Sequence, residues 1–439
     1  MIQLEFELEQ QTPLLHFQHT QQGATLRATE VKPRFDRWLV KKVWNNDFHS
    51  CKTFLVGYDP KKPDDLERKF NEGYRALNYK MRIEPLGQQT CEEICSQRIT
   101  DDGRVKLTPL TPMYFGYDDE LTPEQNLKAV SHHDGVILKC LILDSVIGAT
   151  ALRDAIKDNV SEFFMLHNFG TRATKGYGSF TVEKNYPVES RYSMFTSDAP
   201  DWKGMLDDVE LFYKTIRGGI NFPHRNMYFK SLMFAYAKSL GMRWDKKTIK
   251  EHLLTQNEIG DQISNHPDPV TSHDPDVLTY RDGEDDDFDF RDILGLSTDE
   301  LWAYYGVKLS KTGDMKRFPS PILFKPVRRE ANWDIYVIWN ELPAEIYTKT
   351  IIVNAKVDAA SARRAVGGVG VPLSTSASPL VELHIPEGLT VCGYMDYLFG
   401  KNASGNYHVN PADYFMSGPG NVRNRIVSIY DQLRTNYRP

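Results

Sequence analysis

The sequence predicts an α+β protein of two domains, and three observations carry that expectation. A chain of 439 residues favours at least two domains over one. Its opening, Ile2-Gln3-Leu4-Glu5-Phe6-Glu7-Leu8, alternates apolar and polar residues as a half-buried strand does. Helix-spaced apolar runs then fall between strand signals, and a glycine-rich loop, Asn168 to Phe180, closes the first set.

In order, the first strand covers Ile2 to Glu9 and runs into Thr12-Pro13-Leu14-Leu15, followed by a polar loop from His19 to Gly23. Pro33 suits the first turn of a helix, where its missing N–H would be unpaired anyway. Phe35, Trp38, Leu39 and Val43 recur at helical spacing and are expected to face the core. Arg34, Arg37 and Lys41 share the opposite side. Lys52 to Val105 mixes charges with turn signals and reads as an irregular, partly helical insertion. Val136 to Leu143 reads as a buried strand, and Ala149 to Leu166 as a helix with Leu152, Ile156, Val160 and Phe163 on one face. After the glycine loop, Phe180 and Val182 mark a strand, and the first domain is expected to span 1–187.

The second domain, 188–439, opens with a helical section from Met205 to Leu254, with Phe229, Met233 and Tyr236 on one face. Asn257 to Asp292 is polar, proline-bearing and ends in the acidic run Asp282 to Asp289, which reads as a flexible linker or exposed loop. Phe324 to Val327 and Trp333 to Trp339 read as two strands around a charged turn. A second glycine-rich basic stretch, Arg363 to Gly370, leads into Ser374 to Ser378, a mobile-loop composition.

Composition narrows the function. Hydrophobic residues at 41% and charged residues at 26% describe a soluble globular chain. A net charge of −6 argues against a free-standing, nonspecific nucleic-acid binder but permits a local basic groove. From Arg27 to Lys42 there are six cations against two anions. The five cysteines show no zinc-knuckle spacing and read as free thiols in a reducing compartment. No secretory signal opens the chain, and Lys139, Asp144 and Gly148 interrupt its most apolar stretch, so the expectation is a cytoplasmic protein without membrane contact.

The loop Gly170-Thr171-Arg172-Ala173-Thr174-Lys175-Gly176-Tyr177-Gly178-Ser179-Phe180 holds three glycines and two cations in eleven residues. Glycine lets a backbone approach a bulky partner closely, and Arg172 and Lys175 bring charge for phosphate. Tyr177 looks exposed and offers its ring either to a base or to the domain core. The loop's glycines equally suit a plain helix-to-strand connection. Arg34, Arg37 and Lys41 of the helix around Pro33 likewise suit a solvated face as well as a groove. Metal chemistry has thinner support: His132-His133-Asp134 and His273-Asp274 do not make a converging ligand set. His16, His19, His49 and His167 have no identified partner for acid–base work. No cofactor is expected.

Thr12-Pro13-Leu14-Leu15, then Leu26 to Leu39 with its arginine, aromatic and tryptophan order, and the loop Gly170 to Phe180 together resemble the RAMP superfamily of CRISPR-associated proteins. The order is closest to the first subunit of Cmr-type (type III-B) effector complexes. The resemblance is strongest over residues 1–184. It implies two ferredoxin-like (RRM-type) domains with helical insertions and a glycine-rich loop. It also implies a non-catalytic subunit of an antiviral ribonucleoprotein that holds guide RNA, or the guide–target RNA duplex, and contacts neighbouring effector subunits. The residues implied in RNA binding are Arg27, Lys32, Arg34, Arg37, Lys41, Gly170, Arg172, Lys175, Gly176, Tyr177 and Gly178. Two other functions fit the superfamily: an endoribonuclease that processes guide precursor or cuts target, and a scaffold that touches no RNA.

Overall fold

Alternation at the amino terminus builds the centre of a sheet. In β1 (Ile2–Gln10) the even positions turn inward, with Leu8 and Gln10 buried, while Gln3, Glu5, Glu7 and Glu9 stay exposed. The computed structural model describes residues 1–15, 25–99, 105–110, 129–182, 192–222, 227–254, 288–296, 299–302, 307–315, 318–357, 378–416 and 418–437.

After β2 (Leu14–Leu15) comes α1 (Ala28–Trp44), then two short helices, α2 (Phe48–Cys51) and α3 (Pro63–Asn71). The helix α1 starts earlier than Pro33 suggests, and that proline lies inside it. Pro33 has no N–H for the Thr29 carbonyl, but Thr29 is exposed and water can satisfy it. Phe35 and Leu39 are buried as expected, Trp38 packs against the core from its rim, and Val43 is exposed instead.

The expected irregular insertion contains a long strand, β3 (Lys80–Glu93), then the hairpin β4 (Cys95–Ile99) and β5 (Val105–Pro109). The buried strand is also longer than its apolar core: β6 runs from Ala129 to Ile142. Then come α4 (Ala149–Met165), β7 (Phe180–Val182), β8 (Ser193–Ser197) and α5 (Trp202–Tyr213). Strands β3, β6, β1 and β7 lie side by side in that order, every neighbour antiparallel. Leu8 faces Val136 on one side and Val182 on the other. β2 continues along β6 beyond β1, with Leu14 opposite Ser131. Val31, Phe35 and Leu39 of α1 and Leu152, Ile156, Val160 and Phe163 of α4 close over one face of this sheet with Leu8, Val136, Leu138, Cys140 and Ile142. Each fully buried Leu, Ile or Phe adds about 2–3 kcal/mol by removal from water, so this cluster dominates the stability of the region.

The chain forms two compact units. The first takes residues 1–209 and 323–338, so the hairpin Ile322–Arg328 and Trp333–Trp339 joins it, pairing through Trp333 to Val337 with β8. This division differs from the single cut expected at 187.

The second unit takes residues 210–322 and 339–437. It has an antiparallel sheet of Asp299–Trp302, Val307–Gly313, Thr350–Val357 and Ser378–His384. Its helices gather an aromatic core of Phe212, Phe399, Tyr394 and Tyr430. The end of the expected exposed insertion is interior here: Asp289, Phe290 and Asp292 are buried. Lys311 reaches both acids, 2.7 Å from Asp289, and Arg291 meets Asp245 at 2.6 Å and grips Glu300 through two nitrogens. Burial and Asp289 push the Asp292 carboxyl up to about 8. Burial works against Glu300 too, but Arg291 and Lys246 outweigh it and hold that carboxyl well below its usual range. Residues 282–287, 363–370 and 374–377 lie outside the described residues.

Candidate nucleic-acid interface

Arg27 caps α1 with extended backbone and is half-buried. Behind it, the cations of α1 divide by direction. Lys32 points inward: its ammonium lies 2.5 Å from buried Asp36, donates to the Leu77 carbonyl at 2.9 Å and sits over the Tyr79 ring. Burial pushes the Asp36 carboxyl up against the pull of Lys32. Lys32 therefore ties α1 to the Leu77 segment, which is a structural task. Arg34 is partly exposed. It donates to the Asn168 carbonyl at 3.2 Å and pairs with Glu30 at 3.3 Å, and its guanidinium lies over the Phe169 ring. Glu30 in turn accepts the Gly170 N–H at 2.9 Å. Arg37 and Lys41 are exposed and make no hydrogen bond or ion pair among the described residues. The sequence separates α1 from the glycine loop by more than a hundred residues, and Arg34 with Glu30 brings them side by side.

The loop itself is packed, not open. Gly178 sits at φ +63°, and a Cβ there would lie 2.0 Å from the Phe169 carbonyl oxygen. At Gly170, φ +78°, it would lie 2.5 Å from the Leu15 oxygen. These glycines permit close approach to the protein's own backbone. The Gly178 N–H donates to the Pro13 carbonyl, Thr171 N–H to Leu15, and the Thr12 hydroxyl to the Gly176 carbonyl. Gly176 is pressed by Leu206 and Pro326. Tyr177, which looked exposed in the sequence, is fully buried and meets the Trp202 ring edge-on. Lys175 is buried as well, at 9% exposure. Arg172 keeps partial exposure and sits at φ +60°, in the left-handed region that a side chain occupies at a cost of about 1–2 kcal/mol.

Sequence reasoning missed how the hairpin strand Ile322–Arg328 supports this loop. Asn168 donates to the Phe324 carbonyl, Ser179 to Pro326, and fully buried Lys325 to Phe180 at 2.7 Å and His167 at 3.2 Å. Burial drives the Lys325 ammonium well below its usual range. A lysine inside an apolar strand was the available signal.

Among the described residues the histidines do not come together at one site. His167 bonds the Phe163 carbonyl at 2.8 Å and stacks on that ring; burial, then Lys325 and Arg34, lower its pKa to about 4. His132 lies 3.1 Å from the Gln10 carbonyl, His133 is buried, and His49 is exposed near Glu67. His16, His19 and His273 lie outside the described residues. Among the described residues no group of His, Cys, Asp and Glu suits a metal ion, Cys51, Cys91, Cys140 and Cys392 are free, and no helix is long and apolar enough to cross a membrane. On the other side of the sheet Glu5, Glu7 and Glu9 of β1 share a face with Lys139 of β6 and Arg82 of β3, so the charges there are mixed.

The Cmr1 N-terminal domain family matches residues 1–220, and the Cmr1 C-terminal domain family matches residues 228–401. The chain belongs to the Cmr1 family. The resemblance to the first subunit of Cmr-type (type III-B) complexes is thereby shown. No curated protein matches the sequence. Among solved structures, this Cmr1-family chain is similar to a chain from a cryo-EM structure of the type III-B Cmr-beta bound to cognate target RNA. Identity is 12% over 76% of this chain and 94% of that one, with a TM-score of 0.29. A second is a chain of Cmr-beta bound to cognate target RNA and AMPPnP, state 2, in the presence of ssDNA. Identity there is 12% over 83% and 98% of the two chains, with a TM-score of 0.27.

Proposed function

We propose that the chain is a non-catalytic RNA-binding subunit of a type III-B effector ribonucleoprotein, holding guide RNA or the guide–target duplex beside neighbouring effector subunits. One observation carries the reading: α1 and the glycine loop are fastened together by Arg34 and Glu30, which sets the outward cations Arg37 and Lys41 on the helix that adjoins Arg172. The strained backbone of Arg172 adds support, because strain tends to persist where a side chain is needed. Arg27, at the head of α1, belongs to the same edge. In this assignment Lys32, Lys175, Tyr177 and the three loop glycines shape the site without touching RNA. Such a surface reads backbone and shape, and base pairing between guide and target supplies the sequence recognition. The proposed first domain is ferredoxin-like, a reading that the β–α–β–β–α–β order of β1, α1, β3, β6, α4 and β7 and their strand order support.

A salt series of RNA binding tests this. Arg37→Glu with Lys41→Glu is expected to weaken binding about tenfold. The salt slope should fall by about 0.7 for each single-strand phosphate no longer neutralised. Arg172→Gly is expected to relieve about 1 kcal/mol of strain while weakening binding. Unchanged affinity and slope in both variants would leave a scaffold that does not hold RNA.

A further inference from the structure

Beyond the loop, where the ribbon of β3 and β6 runs on, lies a pocket of about 250 Å³ that the cationic edge does not explain. Its walls are Pro13, Thr90, Glu92, Val130, His132 and Trp202. Thr90 stands directly opposite His132, and Glu92 opposite Val130, so one face of the ribbon supplies four of the six. We infer that this pocket takes a single unstacked guanine base from the bound RNA, an inference that rests on the RNA-binding reading above. The volume is below the roughly 300–1,000 Å³ of sites for drug-sized ligands and suits one planar ring system.

The lining chemistry selects the base. Pro13, Val130 and the Trp202 indole give apolar surface for a ring, as single-stranded bases require. Two of the polar groups, His132 and Glu92, offer acceptors, and the Thr90 hydroxyl can accept or donate. His132 places Nε2 on the Gln10 carbonyl, so in the neutral ring Nε2 carries the proton and Nδ1 is left to accept. Glu92 adds a carboxylate and Thr90 a hydroxyl oxygen. Lys203 already pairs with Glu92, but a carboxylate has about four lone-pair sites and can take further donors. Guanine presents two neighbouring donors, N1–H and the N2 amine, which match a carboxylate. Uracil presents one N–H between two carbonyl oxygens, which a carboxylate repels. Lys203, beside the Trp202 ring, puts a cation at the rim where the phosphate of that nucleotide would pass.

The test is equilibrium binding of the full chain to an all-uridine RNA octamer and to the same octamer with one central guanosine. The guanosine octamer is expected to bind about tenfold more tightly, the worth of one good bidentate base pairing with a side chain. Glu92→Gln and Trp202→Ala are each expected to erase most of that gap, whereas Arg37→Glu weakens both octamers equally and keeps it. Trp202 packs on Tyr177, so if its variant does not fold, Glu92→Gln on the exposed strand decides. Equal binding of the two octamers by the unaltered chain, or a gap that survives Glu92→Gln, overturns the pocket and leaves the RNA-binding reading intact. No binding of either octamer removes both.

Discussion

The glycine loop and the outer face of α1 carry similar residues and do opposite work. Both are rich in cations, and the sequence assigns both to RNA. In the folded chain the loop turns inward, burying Lys175 and Tyr177 and placing its glycines against Leu15 and Phe169. The helix turns outward, leaving Arg37 and Lys41 exposed. The difference lies in the neighbours. A loop that must pass between β2 and the strand Ile322–Arg328 has protein on both sides, whereas α1 has a core on one side and solvent on the other. Residue type alone therefore does not identify a binding surface; the direction each residue faces does.

The largest effect belongs to the loop. Gly178→Ala puts a methyl 2.0 Å from a backbone oxygen at positive φ, which a flexible side chain cannot relieve. The expected loss is about 4 kcal/mol, read as a fall in midpoint on denaturant unfolding. A variant as stable as the parent would break the comparison, because the loop would then be open enough to grip a partner directly.

Acid tests the same packing from another side. His167 has a pKa lowered from the usual 6.5 to about 4, first by burial and then by Lys325 and Arg34. A base held neutral in the fold contributes stability that is complete above pH 6.5, where neither state binds its proton. As pH falls from 6.5 towards 4 the unfolded chain takes up the proton and the folded chain does not, so stability drops by up to about 3 kcal/mol. His167→Phe is expected to flatten that part of the pH–stability curve, measured by urea unfolding at stepped pH. A curve identical to the parent's would mean that the loop's base is wet.

Much of the architecture was legible because its signals are local. The alternation of β1, the apolar run inside β6 and the spacing of Leu152, Ile156, Val160 and Phe163 in α4 each fix an element by periodicity. β3 was missed because its pairing partner is the distant strand β6, while Pro85, Gly87 and its charges read locally as turn. The buried acids Asp289 and Asp292 were missed for a related reason: their partners Lys311 and Arg217 are distant in sequence, and an isolated acidic run carries no sign of them. For the candidate site, the cationic stripe Arg34, Arg37 and Lys41 was visible as helical spacing. The clamp of Glu30 on Gly170 was not, since it depends on long-range pairing.

The smallest effect concerns whether α1 is a plain support or is shaped for its cations. Pro33 sits within α1 without a hydrogen bond to give Thr29, and it is exposed. Pro33→Ala restores that bond and removes the ring's clash with the preceding turn, against a smaller loss from a freer unfolded chain. Thermal unfolding is expected to show a gain of about 1 kcal/mol, with RNA affinity unchanged. Arg34 lies one residue on and holds the loop, so any bend at Pro33 is transmitted to both regions. A stabilised variant that binds RNA less well would show that the proline sets the angle between helix and loop, and the two regions would then act as one surface.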